Sequence, residues 1–286
     1  MDPIDIMLFE GGERDSGFRT KNAPGDTARR VLIDRGEALI IRASLVSVTH
    51  GDFTPDLDSD AASLLIFEFS FITTNHSRRF TSAQIKLIFH DESGNIQNRP
   101  HVWAIAPQGK LSINKTASAK DIRRNLDFSL NGEILGVGAR LGYVWETTQV
   151  QNIEHATVLT GSKRLLETAW GKDNAVIWSL QEDHKRKQGI PSFLRAAVLL
   201  RRKNNVPFSF SISVDSGVDF SGLVRRMMGR EKIDQIDPVK LDDDTDLDDL
   251  GIESLDLTAT GVDNMKELNI EKYADIMIAT LLNIAA

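Results

Sequence analysis

The chain has 286 residues, 41% of them apolar and 26% charged, with a net charge of −7. That is enough for one large or two small globular domains of ordinary composition. It contains no cysteine, which excludes disulfide frameworks, thiolate metal sites, iron–sulfur clusters and cysteine nucleophiles.

The N-terminal stretch MDPIDIMLFEGGERD carries acids where a signal peptide needs bases. No apolar run reaches the length of a transmembrane helix, so a cytoplasmic protein without a transmembrane helix is expected. Residues 1–30 read as an N-terminal arm. From there β-structure dominates. ALIIRASLVSVT (38–49), SLLIFEFSFIT (63–73) and FTSAQIKLIF (80–89) are rich in β-branched and aromatic residues. In the second, Leu65, Phe67, Phe69 and Phe71 share one face. NHSRR, between the second and third, reads as a hairpin loop, and HGDFTPDLDSD (50–60) as a longer acidic loop.

SAKDIRRNL (118–126) is a weak helix candidate. Beyond it, Leu135, Val137, Ala139, Leu141, Tyr143 and Trp145 line one face of a strand whose other face holds Gly136, Gly138 and Gly142. The spacing GVGARLG is one residue too long for a dinucleotide fingerprint and leads into a strand instead of a helix. VLTGSKRLLETAW and AVIWSLQE predict a hairpin around GKDN (171–174). FLRAAVLLR (193–201) and FSFSISV predict another, with Phe208, Phe210, Ile212 and Val214 facing inward and three serines outward. SGLVRRMMGR (221–230) has a Ser N-cap and an apolar face, so a short helix is expected there. Strands in this number and spacing predict a mainly β protein: an antiparallel β-sandwich over 31–233 with one or two short helices.

Composition changes near residue 233. Residues 234–286 hold 14 acids and 3 bases, leaving 27 acids and 31 bases upstream. Two segments of this acidic C-terminal segment, LGIESLDLTAT (250–260) and LNIEKYADIMIAT (268–280), look like one unit used twice. The first contains DDLGIESLDL, which resembles the phosphopantetheine site of acyl carrier proteins around Ser254. Its two Thr and Gly make a poor following helix, and the second copy has Lys272 in place of the serine. Leu250, Ile252, Leu255 and Leu257 are therefore expected to dock the tail. DDDTDLDDLGIE spaces carboxylates like a calcium loop but has Leu247 where the turn requires Gly. No metal site or cofactor is expected.

Catalytic signatures are missing: no Gly-x-Ser-x-Gly elbow, no His-Glu-x-x-His and no Walker loop. SINK (112–115) has no companion motifs. Basic residues cluster late in the body, at Lys185, Arg186, Lys187, Arg201, Arg202, Lys203, Arg225 and Arg226. Placed in turns, they would form a patch for an anionic lipid or an acidic protein segment. The aromatic interleaving of a nucleic-acid platform is absent.

HVWAIAPQGKLSIN (101–114), GARLGYVWE (138–146), TGSKRL (160–165), GIPSFLRAAVLLRRKNNVPF (189–208) and LNIEKYADIMIAT together resemble a family of uncharacterised proteins widespread in filamentous fungi. The resemblance covers roughly residues 100–286. It implies no activity, site or cofactor, and it supports the acidic tail as a native part of the molecule. The expected function is a non-enzymatic binding protein whose basic surface is masked by its own tail. Two alternatives stand beside it: a membrane-acting, gasdermin-like pore former released by tail removal, and an enzyme or carrier with a dispersed site.

Overall fold

The computed structural model describes residues 19–36, 39–56, 58–74, 78–113, 157–185, 187–203, 205–219, 236–242, 246–257 and 264–277. The helix candidates at 118–126 and 221–230 and the glycine-lined strand lie outside these residues. Within them the protein is a mainly β sandwich of two six-stranded antiparallel sheets.

Sheet A contains β1 (Val31–Arg35), β2 (Leu39–Asp52), β3 (Ala61–Thr73) and β9 (Phe193–Arg202) in that order. The far edge of β9 is shared by two short strands. β5 (His101–Ala106) pairs with its second half and β12 (Asp275–Met277) with its first. Sheet B runs β11 (Val239–Leu241), β10 (Phe208–Val218), β4 (Phe80–Asp91), β8 (Ala175–Gln181), β7 (Thr157–Arg164), β6 (Gly109–Ile113).

The core between the sheets follows the period-2 pattern. Leu65, Phe67, Phe69 and Phe71 of β3 face Phe208, Phe210, Ile212 and Val214 of β10 and the alternate residues of β4, all in one buried cluster. Phe210 is the hub of its aromatics, 5.5 Å from Phe67 and 6.0 Å from Phe89 between ring centroids.

Two expected hairpins are not hairpins. β3 and β4 belong to opposite sheets, and so do β9 and β10; both connections arch across the core. The reason is edge occupancy. β3 is flanked by β2 and β9, while β9 is flanked by β3 on one side and by β5 and β12 on the other. Neither has a free edge for its successor in the chain. The continuous run AAVLL in β9 reflects burial on both faces: Ala196, Val198 and Leu200 point into the main core, Ala197 and Leu199 into a second cluster outside the sheet. β7 and β8 do form the expected hairpin, with a loop that spans 165–174.

The described parts of 1–30 and 234–286 are bonded into the sandwich. Residues 19–30 run as a strap along the sandwich. Arg19 and Asp34 exchange main-chain hydrogen bonds, Asp237 N–H donates to the Thr20 carbonyl and Lys240 N–H to that of Thr27. The half-buried Arg29 guanidinium donates to Asn22 Oδ1 and to the carbonyls of Thr20, Leu32 and Asp237. This ties β1 of sheet A to β11 of sheet B. Asp237 sits below the ordinary carboxylate range. Partial burial pushes it up, but the Asn22 N–H, Lys21 and Arg29 outweigh that.

Candidate functional site

The outer face of sheet A is divided in two. Its lower half is apolar: Ala62, Leu64, Ile66, Ala197, Leu199 and Ala106, with Phe53 beside them. Such a patch is unstable in water, and the C-terminal segment covers it. Met265 and Ile270 are buried there, and Leu255, Leu257, Leu268 and Tyr273 pack against them. Each buried residue opens or sits in a short 3-10 turn, Met265–Glu267 or Ile270–Tyr273, capped by Asn264 and Asn269.

Ile252 is 1% exposed and belongs to the main core; Leu250 packs against that core, and Leu255 and Leu257 against the outer cluster. Main-chain bonds lock this stretch to a bulge in β2. The β2–β3 register slips between Leu45 and Ser47. At that point Glu253 N–H donates to the Val46 carbonyl and the Glu253 carbonyl accepts from Val48 N–H. Leu255 N–H donates to Thr49 Oγ1 at 2.9 Å. The tail thus takes the edge of β2 where β1 has ended. The two sequence units share only the anchor: Ile252 precedes an extended bridge, whereas Ile270 opens a 3-10 turn. Ser254 is exposed, and the described residues that follow it, 255–257, are not helical.

The upper half of the face is polar and open. Arg30, Arg42, Ser44, Val46, Glu68 and Ser70 line a cleft of ≈ 390 Å³. Register places them. Arg42 lies directly opposite Ser70, and Ser44 opposite Glu68, so each pair has its Cβ atoms about 5 Å apart on the same face. The next strand places Arg195 opposite Glu68, and β12 places Asp275 opposite Arg195. Arg195 donates twice to Glu68, from Nε at 2.9 Å and from Nη2, both to Oε1. Glu68 Oε2 accepts no hydrogen bond among the described residues. Arg30 and Arg42 are exposed, and among the described residues neither guanidinium has an ion pair. Arg30 also borders the tail: a Cβ built on Gly251 (φ +67°) would stand 3.1 Å from its Nη1. The cleft therefore holds two uncommitted cations, two hydroxyls and a carboxylate already neutralised by a neighbour.

This is not the basic patch expected from the sequence. Lys185 and Lys187 are exposed in the connection from β8 to β9, while Lys203 is exposed beyond the other end of β9. Ten residues of strand, about 30 Å, separate the two groups. Arg201 pairs with Asp60 and lies 4.8 Å over the Phe53 ring. Arg202 is 2% exposed, stacks on Phe208 and donates to the Val206 carbonyl. Both are structural cations. Arg186, Arg225 and Arg226 lie outside the described residues. The described part of the tail, for its part, rests on the outer face through the apolar and main-chain contacts described above.

Sequence reasoning passed over Arg42, Ser44, Glu68 and Ser70 because each stands alone in an apolar strand. Their common parity was readable; that Arg42 meets Ser70, and Ser44 meets Glu68, depends on register. Among the described residues no group of three or more His, Asp or Glu is placed to hold a metal ion, and no helix is long and apolar enough to cross a membrane.

Two histidines couple the fold to pH. His90 and His101 both sit below the ordinary histidine value, chiefly because burial disfavours the charged ring. Glu167 partly offsets this at His90; Lys172 and Lys163 reinforce it at His101. The unfolded chain takes up protons from about pH 6.5 downward, before the folded chain does. Stability is therefore complete above that value and declines as pH falls towards the lowered folded values. The urea midpoint is expected to be lower at pH 5.5 than at pH 7.5, with a smaller difference in His101→Gln. An identical difference in the variant would remove His101 from this account.

No family model, curated protein or solved structure matches the chain significantly.

Proposed function

We propose that this protein is a non-enzymatic binding module that captures an anionic group in the cleft of sheet A, with its own C-terminal segment as a fixed wall of the site. One observation carries the reading: Arg30 and Arg42 stand exposed without ion-pair partners among the described residues, beside the hydroxyls of Ser44 and Ser70. Guanidinium groups recognise phosphate and carboxylate through paired N–H donors. The volume suits a small ligand or one side group of a larger one. No histidine is among the lining residues, and the one carboxylate, Glu68, is clasped by Arg195, which supports binding over catalysis.

The tail enters as architecture. Ile252 in the main core and Glu253 on the edge of β2 favour a permanent wall over a removable mask. The pore-forming alternative rests on residues 126–150, outside the described residues, and gains no support from the cleft. The resemblance to the fungal family supplies no activity and carries no part of this reading.

Calorimetric titration of the full chain with inorganic phosphate tests the proposal. Saturable binding is expected, weakening with added salt and by about tenfold in Arg42→Ala, the loss of one charge-assisted contact. An unchanged melting temperature would show that the variant is folded. Absence of saturable binding, or equal binding by wild type and Arg42→Ala, would refute it.

A further inference from the structure

We infer that the cleft selects a phosphate ester with a hydroxyl group close to its phosphate, such as a polyol phosphate. This rests on the anion-binding reading above and narrows it. Charge supplies the first argument. Arg195 neutralises Glu68, so the uncommitted charge of the lining residues is the +2 of Arg30 and Arg42. That matches a phosphate monoester dianion better than a single carboxylate. Donor number supplies the second. Arg42 and Ser44 on β2, Ser70 on β3 and Arg30 just before β1 offer more donors than a carboxylate's two oxygens engage readily, whereas a phosphate presents three free oxygens.

The third argument is the leftover acceptor. Both Arg195 bonds go to Glu68 Oε1, which leaves Oε2 without a donor among the described residues, on a lining residue directly across from Ser44. An anion gains nothing from a carboxylate oxygen; a ligand hydroxyl does. The Arg42–Ser70 pair and the Ser44–Glu68 pair lie two residues apart along β2, about 7 Å. That spacing seats a phosphate over the first pair and an adjoining carbon bearing a hydroxyl over the second. Glu68 thus discriminates among anions: it repels plain ones and accepts from hydroxylated ones, while its clasp with Arg195 limits the repulsion.

Methyl phosphate and glycerol 3-phosphate carry the same dianion and differ in hydroxyls. Titrated into the full chain, glycerol 3-phosphate is expected to bind about tenfold more tightly, the contribution of one hydrogen bond to a charged acceptor. Glu68→Gln is expected to erase that preference and to leave methyl phosphate binding equal or stronger, because the variant keeps an oxygen for Arg195 and loses the negative charge. A parallel arm with phosphatidylcholine vesicles carrying phosphatidylinositol 4-phosphate separates a lipid headgroup from a free ester; binding in either arm at the expected preference supports the inference. Equal affinity for the two esters in wild type, or a preference that survives Glu68→Gln, would overturn it. Failure of methyl phosphate itself to bind would overturn the anion-binding reading instead.

Discussion

A chain ending at residue 233 is expected not to fold. The segment beyond contributes β11 to one sheet, β12 to the other and the edge contact at Glu253. Val239, Leu241, Ile252, Met265, Ile270 and Ile276 are all buried. At roughly 1.5–3 kcal/mol for each fully buried apolar side chain, their removal costs on the order of 10 kcal/mol, comparable to the whole stability of a typical domain. Truncation also uncovers Leu64, Ile66, Ala197 and Leu199 and frees an edge of β2, both of which promote aggregation. Expression of residues 1–233 should yield insoluble protein or a species without a cooperative thermal transition. The point substitution Ile252→Asp, which buries a charge in the main core, should lower the melting temperature of the full chain steeply. A soluble, cooperatively melting 1–233 would restore the tail to the role of a removable mask.

Gly161→Ala is expected to cost about 2–4 kcal/mol, through overpacking and a broken buried hydrogen bond. Gly161 on β7 lies opposite both Gly109 and Trp178. A Cβ there would stand 2.1 Å from the Pro107 carbonyl and 3.0 Å from the Trp178 ring. The backbone cannot yield without displacing the fully buried indole, whose Nε1–H donates to that same carbonyl at 2.9 Å. For a chain of this length the melting temperature should fall by about 10 °C. Trp178→Phe in the same chain removes one of the crowding groups, so the double variant should lose less than the sum of the two single losses. A change of under 1 °C in Gly161→Ala would show that the contact relaxes freely.

Much of the fold was legible one strand at a time. Strict alternation in 208–214 and 65–71 marked inward faces, since a strand buries every second side chain whatever it pairs with. Alternation says nothing about which sheet a strand joins, so the 63–73 to 80–89 and the 193–201 to 208–214 connections looked like hairpins. The five described members of the expected basic patch do not gather, for a related reason. Closeness in sequence does not survive a strand ten residues long, which carries Lys187 and Lys203 to opposite ends of the sandwich.

The sequence by itself determined the mainly β class and the inward faces of its strands, because these depend on local periodicity and on the water-avoidance of single side chains. Only the tertiary structure decided that the acidic segment is built into both sheets and that Arg42, Ser44, Glu68 and Ser70 share one cleft. Those outcomes depend on edge occupancy and register. Edge occupancy is set by strands that meet across many residues of chain, as β3 meets β9, and the register of β2 on the neighbouring β3 by a bulge near Val46; no local pattern encodes either.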